Sequence, residues 1–148
     1  MTRRILFVCL GNICRSPTAE GVFRSMAPDM ETDSCGTAAW HVGKPPYGPL
    51  QVAAGQKGYN LSDLRARQID LSDFDTFDLI IAMDAQNKAE IEALRPEGNG
   101  TPVRVFTEFA PETGMDHVPD PYYTRDFAGA VRLIESAATG LKRHLDLQ

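Results

Sequence analysis

Ile5-Leu6-Phe7-Val8-Cys9-Leu10-Gly11-Asn12-Ile13-Cys14-Arg15-Ser16-Pro17 decides how this chain folds, because the hydrophobic period changes partway along it. Ile5 to Val8 form an unbroken apolar run, as in a strand covered on both faces, and Ala19, Val22, Phe23 and Met26 recur at helical spacing just afterwards. The residues between are therefore a strand-to-helix loop. Backbone N–H groups converge at such a loop and the helix dipole favours negative charge. A tetrahedral oxyanion is expected to bind there, and a thiol beside it to ionise readily. Cys9 and Arg15 bracket the loop.

Their spacing has a chemical reading. The intervening residues suffice for successive amides to curl around an anion, with Gly11 expected to supply the positive φ of the curl. Arg15 closes the ring with a guanidinium that can fork across two oxygens, which a lysine cannot do. Ser16 is positioned to donate to Cys9. Pro17 suits the first position of the helix, where a missing N–H costs nothing.

Outward from this loop, strands alternate with helices. A weakly patterned second strand is expected near Glu31 to Ser34, then a loop punctuated by Gly43, Pro45, Pro46, Gly48 and Pro49. A helix is expected from Leu50 to Lys57, ended by Gly58. Leu79 to Ala82 form the clearest later strand, and Asp84 is placed to cap a helix carrying Ile91 and Leu94. Val103, Val105 and Phe106 mark a last strand. The final helix is the best patterned, with Phe127, Val131, Ile134, Ala138, Leu141 and Leu145 on one face and Lys142, Arg143 and His144 near its end. This alternation predicts an α/β fold, a parallel sheet with helices on both faces. Ligands in such folds sit beyond the carboxyl ends of the strands, where the Cys9 loop emerges.

At 148 residues, with no linker or repeat, the chain is expected to form one domain spanning residues 1–148. A net charge of −5 argues against nonspecific nucleic-acid binding, and no apolar run is long enough to span a bilayer. Arg3 and Arg4 precede too short an apolar run for a signal-peptide core, so a cytoplasmic location is expected. Three cysteines do not make a disulfide framework. Cys9 and Cys14 lack a second close Cys/His pair, since Cys35 and His41 are distant and His117 and His144 stand alone. No metal site is expected. Cys14 reads two ways, as a thiol that traps oxidised Cys9 in a disulfide or as a small packing residue; Cys35 is expected to pack.

Two further groups could serve a site at the loop. Asp120 lies between Pro119 and Pro121, which restrict the backbone on both sides. Taken alone, Val118-Pro119-Asp120-Pro121 reads first as a stiff turn. Tyr122, Tyr123 and Trp40 could wall a cleft for a planar ring, although each alone reads as a partly buried core residue. His41 has no partner fixed by the sequence and is expected to be structural.

Cys9-Leu10-Gly11-Asn12-Ile13-Cys14-Arg15-Ser16 resembles the phosphate loop of the low-molecular-weight protein tyrosine phosphatases. The resemblance continues, in the family's order, at Asp33-Ser34 through Trp40-His41-Val42-Gly43, at Arg65-Ala66-Arg67-Gln68, at Phe77-Asp78 through Met83-Asp84, and at Asp120-Pro121-Tyr122-Tyr123. It implies a four-stranded, flavodoxin-like sheet of order 2-1-3-4, and hydrolysis of phosphotyrosine and aryl phosphates through a phosphocysteine, without a cofactor. It implies tyrosine-phosphorylated proteins as partners and inorganic phosphate as product and inhibitor. Cys9 would be the nucleophile, Asp120 the proton donor and Arg15 the phosphate clamp. Leu10, Gly11, Asn12, Ile13, Cys14, Ser16 and Ser34 would bind the phosphate or support the loop.

Two positions depart from the family pattern. Leu64 stands where many relatives have a histidine, so a partner for the asparagine network is expected to be missing. Tyr47-Gly48-Pro49 stands where relatives often have an aspartate and, two residues on, an arginine. Two rivals fit the same loop. An arsenate reductase would relay oxidation through further cysteines, and none follows Cys35. A non-catalytic phosphate- or phosphotyrosine-binding module would have little reason to keep both Cys9 and Asp120.

Overall fold

The computed structural model describes residues 2–148. Strands β1 (Arg4–Cys9), β2 (Glu31–Gly36), β3 (Leu79–Ala82) and β4 (Val103–Val105) form one parallel sheet of order β2-β1-β3-β4. Around it lie helices α1 (Arg15–Met26), α2 (Gly48–Gln56), α3 (Asp73–Thr76), α4 (Ala85–Leu94), α5 (Pro121–Thr124) and α6 (Phe127–Asp146). This is the α/β arrangement that the alternation of elements predicts, with the flavodoxin-like strand order that the family resemblance implies.

The pleat of β1 sorts its side chains into two cores. Ile5, Phe7 and Cys9 point to one face, where they meet Ile81 of β3, Val22 and Phe23 of α1, and Ile134 and Leu141 of α6. Leu6 and Val8 point to the other, joining Cys35, Ile80, Ala82, Ile91 of α4 and Val103. With both faces covered, successive residues must all be apolar, which is why the run shows no alternation. A third cluster, including Ile13, Cys14, Leu50, Ala54, Leu61 and Val131, packs under the loop that follows β1. α6 lays Val131, Ile134, Ala138, Leu141 and Leu145 into the interior, as its pattern predicts, while Phe127 is half-buried.

Several boundaries differ from expectation. β2 runs on to Gly36, and only its second half, Ser34-Cys35-Gly36, is buried. As an edge strand its first half faces solvent and carries polar residues, so the pattern stops short. Phe106 does not extend β4. It opens a 3-10 helix, Phe106–Phe109, and its ring packs 5.4 Å from that of Phe7. Leu94 is exposed; the inner face of α4 is taken by Ile91 and Asn87, whose Oδ1 accepts from the Met83 N–H. α2 starts two residues early, at Gly48 instead of Leu50. Gly58, left-handed at φ +91°, follows its C-cap Lys57. α1 starts at Arg15, so Pro17 is its third residue and not its first, still within the turn where no backbone acceptor awaits an N–H. The one-turn helices α3 and α5 are too short to show a period.

The carboxyl ends of the strands converge on the loop. Cys9 ends β1 in register with Gly36 at the end of β2, and Asp84 lies just beyond β3. A Cβ at Gly36 would sit 2.7 Å from the Leu10 carbonyl oxygen, so only glycine lets the loop pass this close.

Candidate active site

The loop from Cys9 to Arg15 curls at Asn12, which takes the left-handed conformation at φ +57°. The expectation that Gly11 supplies this turn is corrected. Gly11 serves a different need: a Cβ there would lie 3.0 Å from Cδ2 of His41. Asn12 holds its conformation through its side chain. Nδ2 donates to Ser16 Oγ at 2.8 Å and to Ser34 Oγ at 3.0 Å, while Oδ1 accepts from the Arg67 backbone N–H at 3.0 Å. The expected loss of a partner at Leu64 therefore leaves no group of the Asn12 amide unpaired; Leu64 packs against the cluster under the loop.

The same network reaches the sulfur. The Asn12 backbone N–H donates to Cys9 Sγ at 3.2 Å, and Ser16 Oγ lies 3.0 Å from it. Because Ser16 accepts from Asn12, its own proton is available to Cys9 or, at 3.3 Å, to the Cys35 carbonyl. On the far side, Ser34 Oγ donates to Glu20 Oε1 at 2.7 Å. Glu20 is buried in α1, and burial pushes its carboxyl up to about 7. The Ser34 hydrogen bond opposes that rise, Asp33 adds to it, and Arg24 opposes and Asp63 adds more weakly.

Arg15, the first residue of α1, is 5% exposed. Its Nη1 donates to Asp84 Oδ2 at 2.8 Å and to the Val118 carbonyl at 3.0 Å, and Nη2 lies 3.7 Å from Asp120 Oδ2. Burial works against its charge, but Cys9, the Asp84 hydrogen bond and Asp120 outweigh burial and raise its pKa. No side chain caps α1, whose N-cap residue is Cys14, so the positive end of its dipole faces the loop.

A cleft of about 230 Å³ opens above the loop, lined by Cys9, Leu10, Gly11, Ile13, Cys14, Arg15, Trp40, His41, Asp120, Tyr122 and Tyr123. Asp120 caps α5, its Oδ1 accepting from the Tyr122 N–H at 3.1 Å. Trp40 is 67% exposed, Tyr122 41% and Tyr123 72%, which overturns their reading as core residues; the Tyr122 ring packs against those of Tyr47 and Tyr123. His41 reaches the cleft wall, a position its sequence context did not reveal. Burial drives the Cys14 thiol up to about 12 and the Cys35 thiol well above its usual range, so both stay protonated.

The structure thus brings Cys9, Arg15 and Asp120 to one cleft, with Asn12, Ser16 and Ser34 behind the sulfur. Four contributors were not singled out from the sequence as site residues: Glu20, Asp84, the Val118 carbonyl and the Arg67 N–H. Asp84 could be read only as a helix cap, a role it also fills by accepting from Asn87 N–H at 2.6 Å. Glu20 carried a signal, a carboxylate among Ala19, Val22 and Phe23 on a helix that buries most of its surface.

Residues 4–148 match the model of the family described as "Low molecular weight phosphotyrosine protein phosphatase". The chain is 43% identical over 127 residues to the low molecular weight phosphotyrosine protein phosphatase of Schizosaccharomyces pombe, covering 81% of each. It is 37% identical over 143 residues to the low molecular weight protein-tyrosine-phosphatase YfkJ of Bacillus subtilis, covering 93% of this chain and 92% of the relative. The crystal structure of YfkJ superimposes with a TM-score of 0.92 at 35% identity, over 99% of this chain and 96% of that one.

Proposed function

This chain belongs to the low molecular weight protein-tyrosine-phosphatases, and from that membership we propose that Cys9, Arg15 and Asp120 hydrolyse phosphotyrosine through a phosphocysteine. The observation that carries the assignment is that Arg15, bonded to Asp84 and Val118, stands in one cleft with Cys9 Sγ and lies 3.7 Å from Asp120 Oδ2.

The Cys9 thiolate attacks phosphorus in line as the bond to the tyrosine oxygen breaks. Asp120, protonated, gives its proton to that oxygen, and the phenol leaves. A water then attacks the phosphocysteine, passing a proton to Asp120, and the S–P bond breaks to regenerate the thiolate and release inorganic phosphate. Arg15 and the loop amides hold the equatorial oxygens throughout both steps, where charge spreads in the transition state. Leu10, Gly11, Ile13 and Cys14 contribute backbone to this cradle, while Asn12, Ser16 and Ser34 keep its shape. Trp40, Tyr122 and Tyr123 flank the ring of a phosphotyrosine, and such walls favour a flat aryl group over a short serine side chain.

The whole chain, residues 1–148, is read as one catalytic domain acting on tyrosine-phosphorylated proteins, with phosphate as product and competing ligand. No helix among the described residues is long and apolar enough to cross a membrane. The need to keep Cys9 reduced fits a cytoplasmic location. Cys14 remains the thiol closest in sequence for trapping oxidised Cys9; its high pKa means that Cys9, once oxidised, would have to draw on a protonated neighbour.

The test is turnover of aryl phosphates. Cys9→Ser is expected to abolish it, and Asp120→Ala to slow it by about 10²-fold or more, most for poor leaving groups. Full activity in Cys9→Ser would overturn the scheme.

A further inference from the structure

Tyr47, the residue just before α2, touches both halves of the site. Its backbone N–H donates to the Ile13 carbonyl of the anion loop at 2.8 Å. Its phenol oxygen accepts from Arg125 Nη1 at 3.0 Å. The Tyr47 ring packs 5.2 Å from that of Tyr122, and the Arg125 guanidinium stands over the rings of Tyr47 at 5.3 Å and Phe127 at 5.0 Å. Arg125 closes α5, the turn that Asp120 opens: its N–H donates to the Pro121 carbonyl at 2.9 Å, and its own φ is +64°.

The segment carrying Asp120 has few other anchors. Upstream, the Val118 N–H donates to the Met83 carbonyl at 2.9 Å, and its own carbonyl accepts from Arg15. Between that point and Arg125, among the described residues, the hydrogen bonds of Asp120, Tyr122, Tyr123 and Thr124 run only among themselves and to Arg125 and Asp126. Asp120 reaches Arg15 only at 3.7 Å, too far for a strong hydrogen bond. The downstream end of the segment is therefore tied to the anion loop through Arg125 and Tyr47.

We propose that Tyr47 is a positioning residue for Asp120, acting with Arg125 and Tyr122 as a clamp that fixes the acid-bearing segment over the anion loop. This rests on the assignment of Asp120 as the proton donor. A general acid works only within hydrogen-bond reach of the leaving oxygen, so releasing the clamp weakens proton transfer before it weakens phosphate binding. A cation lying against two aromatic rings that pack on each other with centroids 5.9 Å apart, and hydrogen-bonded to one of them, gives that clamp both direction and distance.

The experiment compares kcat/KM for phenyl phosphate, a poor leaving group, with that for p-nitrophenyl phosphate, a good one, alongside inhibition by sulfate. In Tyr47→Ala, phenyl phosphate turnover is expected to fall about tenfold and p-nitrophenyl phosphate about twofold, with the sulfate inhibition constant unchanged. Tyr47→Phe keeps the ring packing and loses only the hydrogen bond to Arg125. It is expected to shift the same ratio about threefold, and it decides the matter if Tyr47→Ala fails to fold. Equal losses on both substrates, or none, would overturn the clamp while leaving Asp120 as the acid. If Asp120→Ala itself slows both substrates alike, the assignment of the acid fails and the clamp falls with it.

Discussion

Asn12 holds a left-handed backbone that costs a non-glycine residue on the order of 1 kcal/mol, against three side-chain hydrogen bonds worth about 1 kcal/mol each. Asn12→Ala keeps the strain and loses the bonds. It is expected to lower stability by about 2–3 kcal/mol in urea unfolding and turnover by at least about tenfold. The family resemblance placed Asn12 among the residues that support the loop, but the spacing alone assigned the turn to Gly11, and both residue types tolerate positive φ. What separates them is the ring of His41 against Gly11, a contact across the cleft wall that spacing cannot reveal. Arg15 was legible as the anion clamp, whereas its anchors come from distant segments, Asp84 just beyond β3 and Val118 in the loop before α5. Arg15→Lys cannot grip both anchors and fork across an anion. Its kcat/KM on an aryl phosphate is expected to fall by about 10²-fold, and a loss under threefold would show that a point charge suffices.

At the scale of elements, legibility followed burial. β1, β3 and α6 announce themselves because each has a simple relation to a core: two apolar faces, or one apolar stripe. β2 is an edge strand whose outer half is polar, and α3 and α5 are single turns held by local hydrogen bonds, so neither kind carries a period. The end of β2 nonetheless governs the site, since Gly36 clears the way for Leu10. Gly36→Ala would press a methyl group against a backbone carbonyl that cannot rotate away. It is expected to destabilise the protein by about 1–3 kcal/mol and to weaken sulfate inhibition together with turnover, since the anion loop must shift to make room. Unchanged sulfate affinity would mean that the loop does not depend on this close approach.

For the molecule as a whole, the parallel α/β architecture could be read from alternating elements, and the strand order came from family resemblance. The burial of the Glu20 carboxyl was only hinted at by its apolar neighbours in α1, because its extent depends on how α1 lies against β2. With its carboxyl raised by burial from the usual 4.5 to about 7, the folded state binds a proton that the unfolded state releases between those pH values. Its stabilising contribution is therefore complete below the unfolded pKa and is lost as pH rises through the folded one, amounting to about 3 kcal/mol. Unfolding free energy is expected to decline between about pH 4.5 and 7.5 through this group, and Glu20→Gln to flatten that decline in paired urea titrations. A parallel decline in the variant would assign the slope to other groups. Whether one loop sulfur carries the phosphoryl group between substrate and water is read by acid-quenching the enzyme during turnover and mapping covalent phosphate by mass spectrometry. Phosphate is expected on the Cys9 sulfur and absent in Cys9→Ser; hydrolysis that proceeds without phosphate ever appearing on Cys9 would overturn the phosphocysteine route.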